Sequence, residues 1–166
     1  MDFSKYYDLE KYIFGEVRDN FLKKGYLTAQ EFFCIIIWKA NRAKTKIRKK
    51  LSASGSVAGT VKKITEQIFE ANNANDKLDV LLKKWRFGMP MASAILSVLY
   101  PNEFTVYDYR VRDQLNLKNI YSTKKYFEYF LPRVQKEAKE RGKTLREMDK
   151  ELWGKSFFQD LENLLS

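Results

Sequence analysis

Apolar residues recur every three or four positions along most of this chain, a spacing that places them on one face of a helix. Alternation of apolar and polar residues, the pattern of a half-buried strand, never persists, and the hairpin dipeptides Asn-Gly and Asp-Gly are absent. The pattern therefore predicts an all-α protein of roughly eight helices. With 166 residues the chain is long enough for one compact core, and we expect residues 1–166 to form a single domain in which two lobes are possible.

Capping residues mark several of the predicted helix ends. Thr28 followed by Glu31 has the form of a capping box ahead of an apolar run. Asp108 precedes another predicted helix, and Asp is among the best N-cap residues. A final helix is expected over 144–165, where Gly154 should bend or break it.

The composition excludes several kinds of catalytic and metal site. The chain contains no histidine, which removes Ser-His and Cys-His nucleophile pairs and every His-ligated metal site. Its single cysteine, Cys34, cannot form a four-cysteine zinc site or an iron–sulfur cluster, and its apolar neighbours predict an inert buried thiol. We therefore expect no metal and no cofactor.

Positive charge is concentrated in one part of the sequence. The formal charge is +10, and the stretch between Glu31 and Glu66 holds nine basic residues and no acidic one. The helix predicted after Thr28 runs through these residues to about Leu51, so favourable placement of cations at a helix C-terminus is one explanation. A membrane surface is a second, lesser alternative. The preferred interpretation is an anionic polymer as partner, bound by residues that include Lys39, Arg42, Lys44 and Lys46.

The distribution of apolar residues bears on location. No apolar run approaches the roughly 20 residues of a membrane span, and the N-terminus lacks the basic start and apolar stretch of a signal peptide. The sequence therefore predicts a cytoplasmic protein with no membrane partner.

The segment 84–115 combines a basic turn, two helices and an acidic residue. It begins with a basic turn around Gly88, continues as a helix and a short loop that contains Pro101, and then opens a second helix at Asp108. Backbone amides at a helix N-terminus suit a phosphate group. A carboxylate at the start of the second helix could serve chemistry or could simply cap the helix.

The residues GMPMASAILSVLYPNEFTVYDYRVRDQL resemble the helix-hairpin-helix DNA glycosylases, and in particular the adenine-mismatch glycosylases. The resemblance implies an eight-helix glycosylase-like bundle without an iron–sulfur cluster, a helix-hairpin-helix segment at about 76–115, and duplex DNA as partner. It implies Asp108 as the catalytic carboxylate, since Asp108 lies 18 residues after Pro90, as in the family. It further implies DNA contacts from the hairpin and its surroundings and a base pocket lined by aromatic residues: Lys83, Lys84, Arg86, Phe87, Gly88 and Arg110 for DNA, and Trp38, Tyr107 and Tyr109 for the base. For these aromatic residues, packing in the core is the alternative.

The chain departs from the family pattern at three places. Arg86 replaces the first glycine of the hairpin, so the turn is expected either to differ in shape or to be compensated by neighbouring charges. Pro90 replaces the lysine of lyase-type enzymes and has no amine for a Schiff base. The early core helix lacks the glutamate that protonates the leaving base, and Glu31, one turn away, already has a capping use.

The sequence thus leaves three functions open. One is a monofunctional glycosylase that hydrolyses the bond to a damaged or mispaired base, with no lyase activity. The second is a non-catalytic DNA-binding or scaffold module that keeps the glycosylase fold. The third is a helical protein adaptor whose basic surface meets an acidic partner.

Overall fold

A computed structural model of the protein describes residues 2–166 and contains no β-strand within them. The chain divides into two compact units, Met1–Arg86 and Phe87–Ser166. The all-α prediction is confirmed, and so are the eight predicted helices, the second of which is divided in two. The single-domain interpretation stays a prediction.

The first unit consists of five helices. Their bounds are residues 9–24 for α1, Ala29–Ala40 for α2, Lys44–Ser52 for α3, Val57–Glu70 for α4 and residues 74–84 for α5. Helices α1 and α5 each contain one π-helical turn, Ile13–Val17 and Val80–Lys84 respectively. Short 3₁₀ turns, Ser4–Tyr6 and Asn41–Ala43, precede α1 and α3.

Local capping fixes the ends of α1 and α2. Helix α1 ends at Gly25, whose φ of 77° is left-handed and therefore favours glycine. The predicted capping box is confirmed, because Thr28 and Glu31 exchange side-chain-to-backbone hydrogen bonds at the start of α2. The other oxygen of Glu31 accepts a hydrogen bond from Asn20 at 2.8 Å, so this buried carboxylate is fully used in holding α1 and α2 together.

The long helix predicted after Thr28 is interrupted. Ala40 has φ −159° and ψ 88°, which ends α2, and a 3₁₀ turn leads into α3. The prediction of one continuous helix to Leu51 was therefore wrong. No Gly or Pro marks the break; Asn41, which follows it, belongs to the residues that compete with helical hydrogen bonds.

The second unit consists of four helices. They are Met89–Leu99 for α6, Tyr109–Gln114 for α7, residues 123–140 for α8 and Leu145–Leu165 for α9, with a π-helical turn at Tyr126–Phe130 inside α8. Helix α6 is its core, since every residue from Ala92 to Leu99 is buried. Gly154 was predicted to bend or break this helix, and the break does not occur. Helix α9 continues through Gly154, because a mid-helix glycine costs only about 1 kcal/mol relative to alanine and buried Met148 and Leu152 hold the helix in place.

A network of buried hydrogen bonds holds the extended segment that leads to Asp108. The Tyr126 hydroxyl accepts from the Thr105 amide at 3.0 Å and donates to the Thr105 carbonyl at 2.6 Å. The Tyr107 amide donates to Ser93 Oγ at 2.8 Å, and the Tyr107 hydroxyl accepts from the Ile120 amide at 3.0 Å. Because buried backbone groups without partners are costly, these bonds fix the path of the chain into α7.

Candidate nucleic-acid interface

Two basic segments that are distant in the sequence meet in the first unit. The ammonium of Lys50, in the last turn of α3, donates a hydrogen bond of 2.8 Å to the backbone carbonyl of Arg86, which follows α5. This contact joins residues 36 positions apart. We use the name basic surface for six exposed cations from the turn before α3, from α3 itself, from the end of α5 and from the turn after α5: Arg42, Lys44, Lys46, Lys50, Lys84 and Arg86.

The turn at Arg86 is left-handed. Arg86 has φ 52°, a conformation that costs a non-glycine residue roughly 1–2 kcal/mol. The resemblance places a glycine at this position, so Arg86 adopts the conformation that a glycine would favour. Compensation was expected from the charges of Lys83, Lys84 and Arg86 and stays a prediction; the contact seen at this turn is made by Lys50, whose ammonium binds the Arg86 carbonyl.

Both burial and neighbouring cations affect the ammonium of Lys50. Burial is the largest cause that lowers the pKa of Lys50 below its usual 10.5, and the positive charges of Arg86 and Lys46 lower it further. Lys46 lies one helical turn before Lys50 on α3, so the two side chains share a face of the helix.

The other predicted DNA contacts of the first unit differ in their exposure and in the side chains that they contact. Lys44 is exposed and donates to the side chain of Asn41 at 2.6 Å, and Lys39 is half-buried at the end of α2. Lys83 forms an ion pair of 2.6 Å with Asp79, one turn earlier, and remains mostly exposed. Such an exposed pair contributes only about 0.3–0.5 kcal/mol, so it would yield to a phosphate at little cost.

In the second unit, the two residues before α6 have different environments. Phe87, predicted as a DNA contact, is buried with 7% of its surface exposed, so its side chain is not available to DNA and that assignment is corrected. Gly88 is exposed and caps α6 without a side-chain hydrogen bond. Its φ is −71°, and a Cβ would meet nothing closer than Pro90 Cδ at 3.8 Å, so the backbone here does not require glycine.

Asp108 is the N-cap of α7, as predicted from the sequence. Its Oδ1 accepts a hydrogen bond of 3.0 Å from the amide of Arg110, and its side chain is half-buried. The capping role is confirmed; the catalytic role stays a prediction.

The aromatic residues predicted to line a base pocket are placed differently from one another. Tyr107 is buried with 5% exposed, and its ring lies edge-on against Phe130 at 5.0 Å. Because its hydroxyl is also bound to Ile120, Tyr107 cannot stack on a base, and that assignment is corrected. Tyr109 is 56% exposed, whereas Trp38, in the first unit, is half-buried against Phe14.

Arg110, another predicted DNA contact, is engaged within the second unit. It forms an ion pair of 2.5 Å with Asp160 on α9, and this hydrogen bond is the main cause that raises the pKa of Arg110. Its guanidinium also lies between 5.2 and 5.7 Å from the ring centres of Tyr109, Trp153 and Phe157. Trp153 and Phe157 were not predicted as partners of Arg110; their four-residue spacing, with Asp160 three residues after Phe157, was the only local indication.

These features describe an all-α protein with an exposed basic surface and a helix-capping aspartate in its second unit. No protein-family model, curated protein or solved structure matches the chain. The resemblance to DNA glycosylases therefore stays a prediction. In residues 2–166, no helix has the length and apolar character that crossing a membrane requires.

Proposed function

We propose that this protein binds DNA through the phosphate backbone, with the basic surface of the first unit as its main contact. The observation that carries the proposal is the hydrogen bond from Lys50 to the Arg86 carbonyl, because it gathers two separate groups of cations around one turn. Contacts from lysine and arginine to phosphates supply most of the affinity of non-specific DNA binding. The proposed location is the cytoplasm.

The helix dipole and a membrane surface each explain the positions of the basic residues less completely than DNA does. The helix dipole favours cations in the last turn of α3, but it gives no reason for Arg86 to lie beside them. A membrane-surface helix needs an apolar face turned toward the lipid, whereas the apolar residues of α3, Ile47 and Leu51, are buried in the protein. A protein adaptor with an acidic partner remains the rival that an experiment must separate from DNA binding.

Charge reversal on the basic surface tests the proposal. The triple variant Lys44→Glu, Lys46→Glu, Lys84→Glu should bind a fluorescent duplex at least about 10-fold more weakly at moderate salt and reduce the magnitude of the salt slope by about two. The measurement is fluorescence anisotropy over a range of salt concentrations.

A matched control reverses three exposed lysines of the second unit, Lys124, Lys136 and Lys155, to glutamate. Both variants lower the formal charge by six, from +10 to +4, so a general effect of net charge would weaken them equally. Equal loss in the two variants would refute the assignment of the basic surface. Failure of the wild-type protein to bind, together with binding to an acidic protein, would select the adaptor.

Hydrolytic removal of a base, with Asp108 as the catalytic carboxylate, is the second candidate. Its support is the position of a half-buried carboxylate at the N-terminus of α7, 18 residues after Pro90. A carboxylate there would stabilise the positive charge that develops on the sugar as the base leaves. Pro90 offers no amine, so strand cleavage through an imine is not expected.

The substitution Asp108→Asn separates catalysis from capping. Asn is as good an N-cap as Asp, so the melting temperature should be unchanged, whereas excision should fall by at least about 100-fold. The assay uses duplexes that carry uracil, an adenine mismatch, 8-oxoguanine or alkylated bases, and it counts abasic sites. Excision that persists in the variant would dismiss Asp108, and binding without any excision by the wild type would select the non-catalytic module.

A further inference from the structure

Three cationic side chains are arranged around the left-handed turn of the first unit. Lys50 bridges α3 and the turn through its 2.8 Å hydrogen bond to the Arg86 carbonyl. Lys46 lies one turn earlier on the same face of α3. The hydrogen bond of Lys50 therefore holds α3 against the turn at Arg86, the residue whose side chain carries the third positive charge.

Lys46 and Arg86 have no acidic side chain paired with them in the part of the chain that the structure describes. Within residues 2–166, neither of these two side chains takes part in an ion pair. Both of their charges act on Lys50 and lower its pKa. An anion placed among the three groups would remove this mutual repulsion.

We propose that Lys46, Lys50 and Arg86 form a site for one phosphate group of a nucleic-acid backbone. The inference rests on the proposed DNA binding and narrows it from a charged surface to a discrete site. The inference also gives Lys50 two roles, as a ligand of the phosphate and as the residue that holds the Arg86 turn against α3.

The donors present suit a phosphodiester. The planar guanidinium of Arg86 can donate two parallel hydrogen bonds to two phosphate oxygens. An ammonium has three N–H groups, so Lys50 can keep its bond to the Arg86 carbonyl and still donate to a phosphate. Lys46 adds a mobile point charge at the edge of the site.

Inorganic phosphate is the probe that tests the site without DNA. We expect its addition to shift the side-chain NMR signals of Lys50 and Arg86 saturably and to raise the pKa of Lys50, since a bound anion opposes the charges that lower it. The shifts should disappear in Lys50→Gln and persist in Arg48→Gln. Arg48 is exposed on the opposite side of α3, so this control removes the same charge from the same helix.

A second variant covers the case in which Lys50→Gln disturbs folding. Arg86→Gly places glycine at a φ of 52°, so the variant should melt no lower than the wild type, yet it should lose the phosphate-induced shift at Lys50. Unchanged phosphate shifts in Arg86→Gly, or equal losses in Lys50→Gln and Arg48→Gln, would overturn the proposed site.

A parallel titration with a short DNA duplex distinguishes the two proposals. Binding of inorganic phosphate together with no binding of DNA would uphold the anion site and reject DNA as its partner. DNA binding that is equally strong in Lys50→Gln and Arg48→Gln would uphold the proposed function and reject this site. Preferential loss of both ligands in Lys50→Gln is the result that we expect.

Discussion

Duplex-DNA affinity should fall about 150-fold when the salt concentration rises from 50 to 200 mM. The six side chains of the basic surface contact four phosphates, because Lys46, Lys50 and Arg86 share one. Each phosphate contact contributes about −0.9 to the slope of log affinity against log salt. Four contacts give a slope of about −3.6, and a fourfold change in salt then corresponds to about two powers of ten. Fluorescence anisotropy with a labelled duplex measures the affinity at each concentration.

The slope of log affinity against log salt distinguishes binding through phosphates of the basic surface from other ways of binding DNA. A slope near zero would mean that phosphates are not the main contact, whatever the affinity. A slope of about −3.6 that is unchanged in the Lys44, Lys46, Lys84 triple variant would show that phosphates are bound elsewhere on the protein. The expected outcome is a slope of about −2 in this variant and an unchanged slope of about −3.6 in the control variant of the second unit.

Tyr126→Phe should destabilise the second unit by about 2–6 kcal/mol. Tyr126 is fully buried, and its hydroxyl is bound to both the amide and the carbonyl of Thr105. The substitution leaves both groups buried without this partner, and each such group costs about 1–3 kcal/mol. Urea unfolding followed by circular dichroism, with the slope of the transition checked for constancy, measures the loss.

Tyr129→Phe is the matched control for this prediction. Tyr129 belongs to the same π-helical turn of α8 but is 56% exposed, so loss of its hydroxyl should change stability by less than about 0.5 kcal/mol. A loss below about 1 kcal/mol in Tyr126→Phe would contradict the role assigned to the Thr105 hydrogen bonds. Because these bonds fix the segment that leads to Asp108, any excision activity should be lost with them.

We also expect Tyr126 to make the stability of the second unit depend on pH. Burial raises the pKa of Tyr126 well above its usual 10.0, so the folded state requires the neutral phenol. Its stabilising contribution is complete below pH 10, where the unfolded chain also keeps the proton. Above pH 10 the contribution decreases by about 1.4 kcal/mol for each pH unit, because only the unfolded state then ionises. This share of the alkaline loss should be missing in Tyr126→Phe.

Features that depend on neighbours in the sequence were predicted correctly. The capping box of Thr28 and Glu31 and the cap at Asp108 each involve residues two or three positions apart. Helical periodicity likewise records which residues share a face within a few turns, and it was sufficient for the all-α class. The break at Ala40 was missed because no Gly or Pro marks it and the following Asn41 is only a weak signal. The break expected at Gly154 did not occur because packing outweighs a small propensity cost.

Tertiary structure alone decided which candidate side chains are available for binding. The sequence pattern does not distinguish Tyr107 from Tyr109 as the ring that faces the core. In the folded chain Tyr107 is buried and hydrogen-bonded to Ser93 and Ile120, whereas Tyr109 is exposed. Arg110 is paired with Asp160, 50 positions away. Lys50, which the sequence offered only as one of many lysines, became a central residue through its contact with Arg86.

The amino-acid sequence by itself determined the all-α class, the caps at Thr28 and Asp108 and the excess of positive charge, since these follow from short-range geometry and composition. The folded chain decided where those charges meet and which aromatic rings remain exposed. The reason is physical: a hydrogen bond such as that between Lys50 and Arg86 depends on how α3 packs near the end of α5, and residues 36 positions apart carry no local trace of that packing.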